Sequence, residues 1–128
     1  MTQERTKRTI LVVDDDVGIL KVIEETLLPM GHQIILAGNG KDALAEINKK
    51  QISKIDLLLT DVMMPHMNGV ELVDTLLSRD PALKVIYMSG YLRPSLNGHP
   101  SPDHEKGFLQ KPFSGKTLNG YIKRALTS

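Results

Sequence analysis

Five short apolar runs limit what this chain can fold into more than any other feature: TILVV (9–13), QIILA (33–37), DLLLT (56–60), KVIYM (84–88) and GFLQ (107–110). They are continuous rather than alternating. A strand with one wet face alternates apolar and polar residues, whereas a strand covered on both faces has no such pattern. The runs therefore predict a parallel sheet with helices on both sides. Between them, apolar residues recur at helical spacing: Ile19, Ile23 and Leu27; Ala43, Leu44 and Ile47; Val70, Val73 and Leu77; Leu118, Ile122 and Ala125. Pro29 and Gly31 close the first pattern, and Arg79-Asp80-Pro81 closes the third. The segment YLRPSLNGHPSPDHEK (91–106) holds Pro94, Gly98, Pro100 and Pro102, each unfavourable inside a helix. Parallel strands still need a crossover there, so a short or irregular fourth helix is expected. The fold class is α/β, a doubly wound five-stranded parallel sheet.

A chain of 128 residues has the length of one domain and can bury a core unaided. Residues 1–7 read as a solvated tail and 8–128 as the domain. The net charge of +1 argues for neither nucleic acid nor membrane as a partner. The absence of cysteine excludes a disulfide frame, a thiolate metal site and a cysteine nucleophile. No apolar run approaches the roughly 18 residues that span a bilayer, and MTQERTKRTI lacks a signal-peptide core. A cytoplasmic setting is the simplest expectation.

In an open parallel sheet, ligands bind beyond the carboxyl ends of the strands where strand order reverses. The residues closing each run therefore matter most: Asp14-Asp15-Asp16 after the first, Asp61 after the third, Ser89-Gly90 after the fourth, Lys111-Pro112 after the fifth. Asp14, Asp15 and Asp61 would lie within a few ångströms of each other. Two such charges at about 4 Å repel by roughly 4 kcal/mol at an effective dielectric near 20, so they need a counter-charge. A hard divalent cation, Mg²⁺ or Mn²⁺, supplies one, and Lys111 supplies a second. The set suits phosphoryl transfer, which is mostly positioning and charge neutralisation, with a carboxylate able to act as nucleophile. Asp16 reads as a complement to the first turn of the following helix. The Lys116, Lys123 and Arg124 set on the last helix divides evenly between a solvated face and a docking surface.

In this order and spacing, VVDDD, LLLTDVMMPHMNG, YMSGY and FLQKPF resemble the receiver domains of two-component response regulators, from about Arg8 to Leu126. The proline-rich segment between SGY and FLQKPF is most similar to receivers of hybrid sensor histidine kinases. The resemblance implies a flavodoxin-like sheet in the order 2-1-3-4-5 with five helices. It implies Mg²⁺ held by Asp14, Asp15, Asp61 and the Met63 backbone carbonyl, with Asp61 as phosphoacceptor. Lys111 and Ser89 would contact the phosphoryl group, Ser89 and Phe108 would form the switch, and the Lys111-Pro112 bond matches one that is cis in the family. The partner would be a histidine kinase or histidine phosphotransfer protein. The chain is then a phosphoacceptor module with its own phosphoryl uptake and loss, without an independent enzyme class. Because Met63 and Tyr91 offer hydrolytic water no carboxylate or amide, a long phosphoryl lifetime is expected. Two alternatives stand beside this one. VVDDDVGIL also resembles a haloacid-dehalogenase-type phosphohydrolase through Asp14-x-Asp16, although FSGKTLNGYIKRALTS lacks the later acids that family needs. A pseudo-receiver that binds partners without phosphorylation is the other.

Overall fold

The computed structural model describes residues 7–62, 69–90 and 105–127. The elements run β1 (Thr9–Val13), α1 (Val17–Leu27), a 3-10 turn (Leu28–Met30), β2 (Gln33–Ala37), α2 (Gly40–Lys49), β3 (Leu57–Asp61), α3 (Gly69–Arg79), β4 (Lys84–Ser89), β5 (Glu105–Gln110) and α4 (Gly115–Thr127). All neighbouring strands pair in parallel, in the order β2-β1-β3-β4-β5. The fold is the doubly wound, flavodoxin-like sheet that the sequence predicts. The expected fourth helix, between β4 and β5, falls mostly outside the described residues.

The unbroken apolar runs have their cause in the two faces of this sheet. Successive side chains of a strand point to opposite faces. Leu11, Val13, Leu58, Val85 and Tyr87 join Ala43 and Ile47 of α2 and Leu72, Val73 and Leu76 of α3 in one core cluster. Ile10, Val12, Leu57, Leu59, Ile86 and Met88 join Ile23 and Leu27 of α1 and Leu118, Ile122 and Ala125 of α4 in the other. Leu57, Leu58 and Leu59 are fully buried, so each adds roughly 1.5–3 kcal/mol of transfer free energy whichever way it points.

Three details depart from expectation. The third strand runs through Asp61, whose partner in β4 is Met88, so the carboxylate belongs to the ladder itself. The buried stripe of α3 is Leu72, Val73 and Leu76, with Leu77 only partly buried. β5 begins at Glu105, two positions earlier than the GFLQ run, because Glu105 pairs with Val85 across a register irregularity between Val85 and Ile86.

The end of α2 carries a local strain. Gln51 N–H bonds the Asn48 carbonyl at 3.2 Å and Ile52 N–H bonds the Ile47 carbonyl at 3.0 Å, a Schellman closure. Gln51 sits in it at φ 54°, a conformation that suits glycine. Gln51→Gly is expected to raise stability by about 1 kcal/mol, read as a higher urea midpoint at unchanged m-value. A lower midpoint would show that the Gln51 side chain earns its place through contacts of its own.

Candidate functional site

Strand order reverses between β1 and β3, and the carboxyl ends of these strands form the switch point. The rim there is stapled by backbone bonds. Asp14 N–H donates to the Ala37 carbonyl at 3.1 Å, Val62 N–H to the Met88 carbonyl at 3.0 Å, and Lys111 N–H to the Ser89 carbonyl at 2.7 Å. Each residue that follows a strand is thus still held to its neighbour, so its side chain projects from a fixed base.

The loop from β1 into α1 is shaped by its own acids. Asp14 Oδ1 accepts the Asp16 N–H at 2.9 Å. Asp16 Oδ1 accepts the N–H groups of Gly18 at 2.8 Å and Ile19 at 3.3 Å, which makes it the N-cap of α1. Asp16 therefore spends its carboxylate on the helix end. Asp15, between the two, is exposed.

Ligand oxygens of Asp14, Asp15 and Asp61 lie within 4.8 Å of one another. Lys111 reaches across from the end of β5, its Nζ 2.6 Å from Asp14 Oδ2 and 2.9 Å from Asp61 Oδ2. The 111–112 peptide bond is cis. Asp14 has no exposed surface and Asp61 is 7% exposed. Ser89, also buried, ends β4 one residue beyond the Met88 that pairs with Asp61. Phe108 sits on β5 opposite Tyr87, partly buried against the α2 and α3 core. The Met63 carbonyl and Tyr91 lie outside the described residues.

Two further residues shape the site, and the sequence did not single them out for it. Thr60, fully buried, donates its hydroxyl to the Asp61 carbonyl at 3.0 Å. Its signal was a lone hydroxyl inside an apolar run. Gly69, which opens α3, donates its N–H to the Val62 carbonyl at 2.9 Å. A Cβ at Gly69 would run into the Asp61 carbonyl oxygen, so the close approach of α3 to the end of β3 demands glycine.

The electrostatics follow from burial. Desolvation pushes the Asp14 carboxyl above the usual aspartate range, against the opposing pull of Lys111 and the Asp16 N–H. Burial alone would lower the Lys111 ammonium, but hydrogen bonds to Asp14 and Asp61 and their charges outweigh it and hold the lysine above its usual range. Asp14 Oδ2 faces the Lys111 ammonium at 2.6 Å and, fully buried, has no second partner among the described residues. Such an oxygen, within a set of oxygen-only donors, fits a hard divalent cation.

Fold and rim define a class: a flavodoxin-like parallel α/β domain with a carboxylate cluster and a bridging lysine at its switch point. Within that class the chain belongs to the response regulator receiver domain family, whose model matches residues 10–123. It is thus a receiver domain of the two-component kind. The sensor kinase CckA of Brucella abortus is 33% identical over 118 residues, which is 92% of this chain and 12% of that protein. The response regulator receiver protein CpdR of the same organism is 29% identical over 119 residues, 93% of this chain and 97% of CpdR. Among solved structures, the chemotaxis protein CheY4 of Vibrio cholerae superposes with a TM-score of 0.81 at 28% identity, covering 94% of this chain and all of that one, 100%. The chain therefore matches nearly all of one relative and one segment of a sensor kinase, in keeping with its resemblance to receivers that accompany such kinases.

Proposed function

We propose that this receiver takes a phosphoryl group from a phosphohistidine, on a histidine kinase or a histidine phosphotransfer protein, onto Asp61. The observation that carries the reading is Lys111, bridging the buried Asp14 and the strand-end Asp61 at the mouth of the switch point. Asp14, Asp15 and Asp61 would hold Mg²⁺ or Mn²⁺, and the Met63 carbonyl would complete the protein's share. When bound, the cation neutralises charge on the phosphoryl oxygens. Asp61 supplies the nucleophilic oxygen, held by the β3 ladder and by the Thr60 hydroxyl on its carbonyl. The P–N bond breaks with its electron pair on the imidazole nitrogen as the bond from the Asp61 oxygen to phosphorus forms. Lys111 then pairs with the added charge, about −1.5 to −2, and Ser89 donates its hydroxyl to a phosphoryl oxygen. Phe108 turns with the Ser89 loop and transmits the change to the β5 and α4 side.

This reading sets residues 8–128 as the receiver, residues 1–7 as a tail, and the reaction in the cytoplasm. Among the described residues no helix is long and apolar enough to cross a membrane. Intact mass after incubation with acetyl phosphate tests the proposal: one phosphoryl adduct with Mg²⁺ present and none in excess chelator. An adduct that forms equally well without a divalent cation would overturn the metal-assisted reading.

The donor's approach is suggested by Val17, the first residue of α1, which is 77% exposed beside the acid cluster. Covering such a side chain contributes about 1.5 kcal/mol. Val17→Ser is accordingly expected to slow phosphoryl transfer from an autophosphorylated kinase about tenfold, with uptake from acetyl phosphate unchanged. Equal slowing with both donors would place the effect in the chemistry and remove Val17 from the docking surface.

A further inference from the structure

The end of the molecule opposite the acid cluster carries a groove of about 940 Å³. One wall is the last turn of α1 with the 3-10 turn, and the other is the outer half of α4. Pro29, Met30 and Leu126 give it apolar surface, and Arg8, His32 and Lys123 supply its polar chemistry. No carboxylate lines it among the described residues. Leu28, next to Pro29, is 54% exposed and continues the apolar surface outward. Asn119, on α4, also lines the groove, and its buried Oδ1 has no hydrogen-bond partner among the described residues. The Arg8 backbone N–H donates to His32 Nδ1 at 3.1 Å, which ties the base of the Arg8 side chain to this end.

Beyond the groove the charges are mixed: Lys84, at the start of β4, has its ammonium lowered by burial and then by the charges of Arg8 and Lys106, while Asp56 opposes them. The groove itself is lined by Arg8 and Lys123 with no carboxylate among the described residues, so an anionic partner complements it. Two helical walls with a trough between them suit the ridges of a third helix. Acidic side chains on that helix would meet Arg8 and Lys123, and its apolar stripe would cover Met30 and Leu126.

We propose that the groove between α1 and α4 docks an acidic amphipathic helix of a partner protein. The proposal is independent of the chemistry at Asp61. It can be tested by NMR titration of the isotope-labelled full chain with two synthetic helical peptides. Both carry leucines on one face, flanked by glutamates in the first and by lysines in the second. The glutamate peptide is expected to shift the resonances of Met30, Asn119 and Leu126, and the lysine peptide to leave them in place. Combining Arg8→Glu with Lys123→Glu should weaken the glutamate peptide about tenfold and admit the lysine peptide, since charge sets partner choice at a rim. The comparison on the native chain stands even if that variant fails to fold. Equal binding of the two peptides, shifts confined to the Asp61 end, displacement by a second copy of the chain in sedimentation, or no shifts at all would each overturn the proposal.

Discussion

Incubated with acetyl phosphate and Mg²⁺, Asp61→Asn is expected to remain at its unmodified mass, while the native chain gains a single phosphoryl adduct. The substitution preserves the shape of the side chain and removes the charge that makes it a nucleophile. It also takes one carboxylate from the set that would hold the cation, so a beryllofluoride complex should fail to form as well. Folding should survive, because Lys111 keeps its contact with Asp14 at 2.6 Å and the β3 backbone keeps its ladder. An unchanged thermal midpoint together with no adduct therefore identifies a loss of chemistry in a folded chain. A full adduct on Asp61→Asn would move the nucleophile to Asp14 or Asp15 and undo the assignment of roles around the cluster.

The parts of this fold that the sequence disclosed are those with two covered faces. β1 matches its predicted bounds because burial on both sides leaves a continuous apolar signal. The edge strand β2, buried only at Ile35 and Ala37, matches because Ile34 and Leu36 are still partly covered on the other face. The core stripe of α3 was less legible, since VELVDTLL offers apolar residues on adjacent faces and only packing against β3 selects Leu72, Val73 and Leu76. Gly69 shows a different limit. Its need for hydrogen in place of a side chain depends on how close the helix comes to the Asp61 carbonyl, a through-space fact that turn chemistry does not contain. Gln51 in a glycine-type position and Val17 in solvent contradict local preference, so no pattern could have announced them. The convergence of Asp14, Asp15 and Asp61 was legible for a topological reason: in a doubly wound parallel sheet, residues at strand ends on either side of the switch point must meet.

Lys111→Met is expected to destabilise the metal-free chain by about 3 kcal/mol at neutral pH, the usual effect of removing one partner from a buried ion pair. Methionine retains most of the lysine stem, so the loss reports charge more than packing. The pH dependence follows from the two shifted groups. Lys111 is held above its usual range, so its stabilising contribution is complete below that range and fades only in strong alkali. Asp14 is raised, chiefly by burial, so its ionisation subtracts stability as pH climbs through the carboxyl range, and removing Lys111 enlarges that cost. Urea unfolding should therefore show a deficit that is largest near neutrality and shrinks as pH falls and Asp14 takes up its proton. Millimolar Mg²⁺ should recover part of it by binding the folded state alone, while phosphoryl uptake stays impaired because no ammonium remains to pair with the new charge. A deficit equal at every pH and unmoved by Mg²⁺ would make Lys111 a packing residue. Asp14 and Asp61 would then tolerate each other without a counter-ion, and the electrostatic case for a cation at this rim would lose its ground.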